Sequence, residues 1–181
     1  MVYVFLADGF EEAEALVPVD ILRRGGVEVK TVGVTGKSVT GSHGITVLAD
    51  IEKSEVVKEN LEAVILPGGM PGTTNLEKDA VVGECVDYAA SKGLVIGAIC
   101  AAPSILGHKG LLKGKKAICF EGFEKELLGA KIIDLPAVSD SNIVTSWGAG
   151  AAFEFGFSLL AAIMGDDEKV ATLRKNMKYP L

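Results

Sequence analysis

The stretch Gly93-Leu-Val-Ile-Gly-Ala-Ile-Cys100-Ala-Ala-Pro-Ser-Ile-Leu106 decides how this chain folds. Leu94 to Ile99 is apolar and uncharged, the pattern of a strand buried on both faces. The run stops at Cys100. Small residues follow at once, and Pro103 falls in the first turn of a helix, where its missing N–H costs nothing. A strand therefore turns sharply into a helix with a cysteine on the turn. That is the geometry of a nucleophile elbow with sulfur in place of the serine hydroxyl. Unpaired N–H groups and the positive end of the helix dipole favour a thiolate there. The pKa of Cys100 is accordingly expected below the free value of about 8.5. Cys100 reads as a functional thiol, with a buried structural cysteine as the competing reading.

Outside this stretch, strands and helices alternate. Val2 to Leu6 reads as a first strand, with Asp8-Gly9 as its turn and a helix from Phe10 to about Arg24 that stops at Gly25-Gly26. Pro18 lies inside that helix and removes a bond to the Glu14 carbonyl, so a distorted turn is expected near Glu14. Val27 to Val34 reads as a second strand, Val39 to Leu48 as a hairpin-like excursion, and Ile51 to Leu61 as a short amphipathic helix. Ala63 to Leu66 is a buried strand ending in Pro67-Gly68-Gly69-Met70-Pro71-Gly72, and Asp79 to Ser91 is a helix. After the elbow helix, which runs to about His108, strands are expected at Lys116–Phe120, Lys131–Ile133 and Ile143–Ser146. Helices are expected at Phe123–Leu128, Ala151–Met164 and from Asp166-Asp167 to about Met177. The alternation predicts a mainly parallel sheet with helices on both faces.

The chain of 181 residues reads as one domain, 1–181, and its 49% hydrophobic content suffices for a sizeable core. A net charge of −6 and the lack of any basic stripe argue against nucleic acid and anionic membrane as partners. Met1-Val-Tyr-Val-Phe-Leu reaches Asp8 quickly without a basic n-region and reads as a strand, not a signal peptide. No apolar run approaches the roughly 18 residues of a transmembrane helix. Three widely spaced cysteines fit a reducing cytoplasm better than a disulfide framework. No metal-ligand spacing is visible, and no metal or cofactor is expected.

Four segments, in this order and spacing, resemble the DJ-one/ThiJ/PfpI superfamily across nearly the whole chain. They are Asp8-Gly9-Phe10-Glu11-Glu12-Ala13-Glu14 with Pro18-Val19-Asp20, then Leu66-Pro67-Gly68-Gly69, then Ala98-Ile99-Cys100-Ala101-Ala102-Pro103, and Thr145-Ser146-Trp147-Gly148-Ala149-Gly150. The early Glu-Glu-x-Glu stretch is closer to the DJ-one/ThiJ branch than to the PfpI peptidase branch. The resemblance implies a flavodoxin-like three-layer α/β/α sandwich related to class I glutamine amidotransferase-like folds, and a homodimer. It implies that Cys100 is the reactive cysteine, that Glu14 hydrogen-bonds it, and that the Gly69 and Ala101 amides form an oxyanion hole. Many members carry a histidine after the strand that follows the elbow helix; here that position is Phe120.

With no histidine there, Glu14 is left to move protons. Like-charge repulsion and burial raise the pKa of a glutamate beside a thiolate. Glu11 and Glu12 read as helix-start charges, His108 as suiting the C-terminus of the elbow helix, Cys85 as packing and Cys119 as a buried strand cysteine. His43, in the hairpin-like excursion, reads as a solvated loop histidine or as a residue reaching a partner's site. Trp147 walls the pocket or belongs to the core. The expected function is a cofactor-independent cysteine enzyme acting on small reactive carbonyls or their adducts, of glyoxalase or deglycase type. A redox-sensing or chaperone-like stress protein is the alternative, and a PfpI-like peptidase or amidohydrolase the third reading.

Overall fold

Alternation along the first strand sets up two cores. In the computed structural model, which describes residues 1–180, β1 (Val2–Leu6) sends Val2, Val4 and Leu6 to one face and Tyr3 and Phe5 to the other. All five are buried, as a strand near the centre of a two-faced sheet requires. After β1 come α1 (Glu12–Arg24), β2 (Val29–Gly33), the hairpin β3 (Ser38–Thr40) and β4 (Thr46–Leu48), β5 (Ile51–Glu52) and β6 (Ala63–Leu66). Then follow α2 (Gly72–Lys78), α3 (Ala80–Lys92), β7 (Val95–Ile99), α4 (Pro103–His108), β8 (Lys116–Ala117) and β9 (Lys131–Ile132). The chain closes with β10 (Ala137–Asp140), β11 (Ile143–Ser146), α5 (Ala152–Met164) and α6 (Asp167–Asn176).

Seven strands form the main sheet in the order β10-β11-β7-β6-β1-β2-β5, all parallel except the β10 edge. One face packs Phe5, Val64, Leu66 and Ile96 against Leu76 of α2, Val82 and Val86 of α3, and Ile105 and Leu106 of α4. The other packs Val4, Ile65 and Val144 against Val19, Ile21 and Leu22 of α1 and Phe155 and Leu159 of α5. Each such buried side chain contributes roughly 1.5–3 kcal/mol. This is the flavodoxin-like α/β/α sandwich, of the kind shared with class I glutamine amidotransferases. Among the described residues no helix is long and apolar enough to cross a membrane.

Several local expectations are corrected. Residues 51–61 form a two-residue edge strand and two 3-10 turns instead of a helix, because Ile51 pairs with Val32 and the β-branched Val56-Val57 stays extended between the turns. The strand expected at Lys116–Phe120 ends at Ala117, since the Phe120 N–H turns to the Cys100 carbonyl. The helix expected at Phe123–Leu128 is one 3-10 turn, Glu124–Glu126. β10 and α2 are additional elements. α1 continues through Pro18, with the small Gly156 of α5 packed against the proline.

Candidate active site

Four loops meet at the carboxyl ends of neighbouring strands, where open α/β sheets bind their ligands. β1 leads into α1 and Glu14, β6 into Gly68-Gly69, β7 into Cys100, and β11 into Trp147-Gly148.

Cys100 has φ +64, one of three non-glycine residues with positive φ among the described residues. A Cβ in this conformation is strained and persists only where its surroundings hold it. The holding bonds are visible: the Cys100 N–H donates to the Ser146 carbonyl at 2.9 Å, and the Cys100 carbonyl accepts from Phe120 N–H at 2.8 Å. The thiol is thereby fixed at the mouth of α4, half-buried, whereas Cys85 and Cys119 are buried.

Glu14 is 1% exposed and hydrogen-bonds the Cys100 sulfur. Its carboxylate also accepts from Gly68 N–H at 3.0 Å, and its own N–H is capped by Glu11 at 2.8 Å. Burial, with a smaller contribution from the Glu11 charge, pushes the Glu14 carboxyl up to about 7, although bonds from Cys100, Gly68 and Ala149 pull it down. Gly68 permits this contact: a Cβ there would stand 2.5 Å from Cys100 Cβ and 2.6 Å from Glu14 Oε2. Next to it, Gly69 takes φ +84, and the Gly69 and Ala101 N–H groups both bond the thiol.

The expected low pKa of Cys100 is overturned. Burial first, then the charge and hydrogen bond of Glu14, push the thiol up to about 12 against the pull of the Gly69 and Ala101 N–H groups. The helix terminus is present, but desolvation and an adjoining carboxylate outweigh it. Glu14 and Cys100 form one titrating pair. Its first ionisation leaves a single negative charge on the pair. In the singly ionised pair the Glu14 carboxylate faces the thiol, so moving that one proton to Glu14 yields a thiolate beside an acid.

Phe120 and Trp147 stand beside this turn and line a cavity of about 640 Å³, together with Cys119, Ile132, Gly148 and three carboxylates. Cys100 is outside that lining, but a Cβ on Gly148 would stand 3.3 Å from the Phe120 ring and 3.7 Å from Glu14 Oε1, so the cavity wall approaches the site there. Trp147 is therefore a pocket wall and not core. His43 sits in the β3–β4 loop with its side chain 70% exposed and bonds Glu12, not Cys100.

Glu12 is more than a helix-start charge. It is buried and accepts from the His43 and Ile45 N–H groups and the His43 ring, which pins the hairpin to α1. Burial would raise its pKa, yet these bonds hold it below the usual carboxylate range. Glu11, Glu12 and His43 present ligand atoms within 4.8 Å of one another, the one such set among the described residues. Sequence spacing could not show it, since His43 comes from a different element. His108 does sit at the end of α4, but its ring bonds Glu77 and Glu126 in addition to suiting the helix terminus.

A thiol held on a strained strand–helix turn above a parallel sheet, with an acid buried against it, defines a cysteine nucleophile-elbow protein of the α/β class. The DJ-1/PfpI family model matches residues 1–162, and the chain belongs to that family. It is 33% identical over 177 residues to protein dj-1beta of Drosophila melanogaster, covering 96% of this chain and 94% of that one. It is 30% identical over 166 residues to a glutathione-independent glyoxalase of Caenorhabditis elegans, covering 91% and 88%. The crystal structure of a cysteine-to-alanine mutant of a DJ-1 superfamily protein from Salmonella typhimurium superposes with a TM-score of 0.93 at 37% identity, covering 99% and 98%. Oxidised DJ-1 of Toxoplasma gondii gives 0.94 at 31% identity, with the same coverage.

Proposed function

We propose that the protein is a cofactor-independent cysteine enzyme acting on small reactive carbonyls or their adducts. The observation that carries this reading is the buried Glu14 carboxyl, with a pKa near 7, bonded to Cys100 on its strained turn. The named activity of the Caenorhabditis relative supports the glyoxalase form over the deglycase form.

With methylglyoxal, the Cys100 sulfur attacks the aldehyde carbon. Glu14 takes the thiol proton as the C–S bond forms, the carbonyl π pair moves to oxygen, and Glu14 returns that proton to the oxygen, giving a hemithioacetal. The Gly69 and Ala101 N–H groups, which bond the thiol, support this reading as donors to the developing oxyanion. Glu14, now ionised, takes the proton from the former aldehyde carbon, and the resulting enediol is reprotonated at the neighbouring carbon. The product is a lactoyl thioester, which water hydrolyses to lactate and free thiol. One carbon is oxidised as its neighbour is reduced, so no outside oxidant or reductant is required. Phe120 in place of a histidine weighs against the peptidase reading.

The test is lactate formation from methylglyoxal by wild type and Cys100→Ala. Turnover that disappears in the variant is expected; lactate formed equally by both would overturn the reading. A redox role for the same thiol is the second reading, favoured by the half-exposed position of Cys100 and by the oxidised state of the Toxoplasma relative.

A further inference from the structure

The cavity beside the Cys100 turn has a chemistry that proton transfer between Cys100 and Glu14 does not use. Its walls are apolar and aromatic: Phe120, Trp147 and Ile132 line it, each more than a third exposed. Glu121, Glu124 and Asp134 stand in the same lining, with no lysine, arginine or histidine. None of the three carboxylates forms an ion pair among the described residues. Glu124 directs one oxygen to its own loop, accepting from Gly122 N–H at 2.9 Å. Buried Cys119 is in the lining, and the Phe120 N–H donates to the Cys100 carbonyl at 2.8 Å, which joins the cavity wall to the Cys100 turn.

Aromatic faces present negative charge density, and a cleft lined by charge of one sign focuses its field. Such a cavity repels an anion. A three-carbon aldehyde would leave most of it empty. The geometry points to an organic cation as its occupant: an ammonium or guanidinium group held between Phe120, Trp147 and the carboxylates Glu121 and Asp134, carried by a substrate whose carbonyl carbon lies at Cys100. The substrate half of this inference rests on the carbonyl chemistry proposed for Cys100; the cation site itself does not.

Trp147 is the only tryptophan of the chain, so its fluorescence reports occupancy of the cavity directly. Choline and 3,3-dimethylbutan-1-ol have nearly the same shape and differ in charge. Titrated into wild type and into Cys100→Ala, choline should change Trp147 emission saturably in both and bind about tenfold or more tightly than the neutral alcohol. The isosteric pair of changes Glu121→Gln and Asp134→Asn should weaken choline about tenfold and leave the alcohol unchanged. Betaine aldehyde should protect Cys100 from iodoacetamide at about tenfold lower concentration in wild type than in that double variant, since the variant keeps the thiol and loses only the charges. Equal affinity for choline and the alcohol, or an unaltered choline affinity in the double variant, would overturn the cation site. Equal protection of wild type and double variant would overturn the substrate half. Lactate formation measured on the same preparations separates the two proposals. Turnover without cation preference sinks the cation site alone, and cation preference without turnover sinks the glyoxalase reading alone.

Discussion

Glu14 and Cys100 share one charge in a buried place, and that fixes what substitutions at Glu14 should do. The Glu14 carboxyl is raised to about 7 from an unfolded value of 4.5, so the native state keeps a proton that the unfolded state has released. Between those values unfolding gives up that proton, and the stability from Glu14 falls as pH rises from 4.5 through about 7. Glu14→Gln keeps a neutral donor to sulfur and cannot ionise. Its stability relative to wild type should therefore increase across that window, as read from urea midpoints at several pH values, while turnover drops about a hundredfold or more. A wild-type and a variant curve running parallel across the window, with turnover intact, would remove Glu14 from the site. Much of this pair was legible beforehand, because Cys100 ends an uncharged strand at a proline-started helix and Glu14 falls in a recognisable segment. The direction of the thiol shift was not. A helix terminus can be read from Pro103, whereas desolvation and the 2.5 Å that a Cβ at Gly68 would leave depend on tertiary approach. Glu12 was misjudged for the same reason, since the hairpin that buries it begins 26 residues later, at Ser38.

At the scale of elements, α4 is only six residues long and depends on what ties down its end. His108 does so, with Nδ1 facing Glu77 of α2 and Nε2 facing Glu126 of the 3-10 turn at 2.8 Å. The hydrogen bonds to the two carboxylates raise the His108 pKa. A raised histidine contributes stability that is fully present below its unfolded value, about 6.5, and lost as pH rises through its higher folded value. His108→Gln should thus be more destabilising at pH 6 than at pH 9, by thermal melting, and the difference should shrink in salt because the site is over a third exposed. Equal losses at both pH values would show that the imidazolium is not what joins these elements. Long periodic elements were readable: α3 between Asp79 and the left-handed Gly93, and α6 capped by Asp166, follow their cap residues. β10 and α2 were hidden. The first is an edge strand specified by its pairing with β11, and the second starts inside a glycine-rich turn whose composition signals a loop. Residues 51–61 carried a helical pattern that the sheet edge overrode when Ile51 paired with Val32.

For the whole molecule, the sheet and its two helix layers use up one face of α1 and leave another uncovered. Ala15, Pro18, Val19, Ile21 and Leu22 are buried, whereas Leu16 is 37% exposed. Glu12, one turn before Leu16, holds the Ile45 N–H at 3.3 Å, so the hairpin lies against the start of the same helix. Ile45 is 55% and Leu48 77% exposed. Leu16 and Ile45 thus lie on either side of the buried Glu12 bonds that tie the hairpin to α1. A surface of this kind suits a two-fold contact, in which each copy presents the same patch to the other. We expect a homodimer through it, of the order of 800 Å² per partner. Light scattering at micromolar concentration should give twice the chain mass for wild type. Leu16→Asp with Ile45→Asp should give the monomer mass with an unchanged far-ultraviolet circular dichroism spectrum, because both side chains already meet solvent in the isolated chain. A wild-type monomer would overturn the dimer, and a dimer that survives both substitutions would move the interface away from α1 and the hairpin.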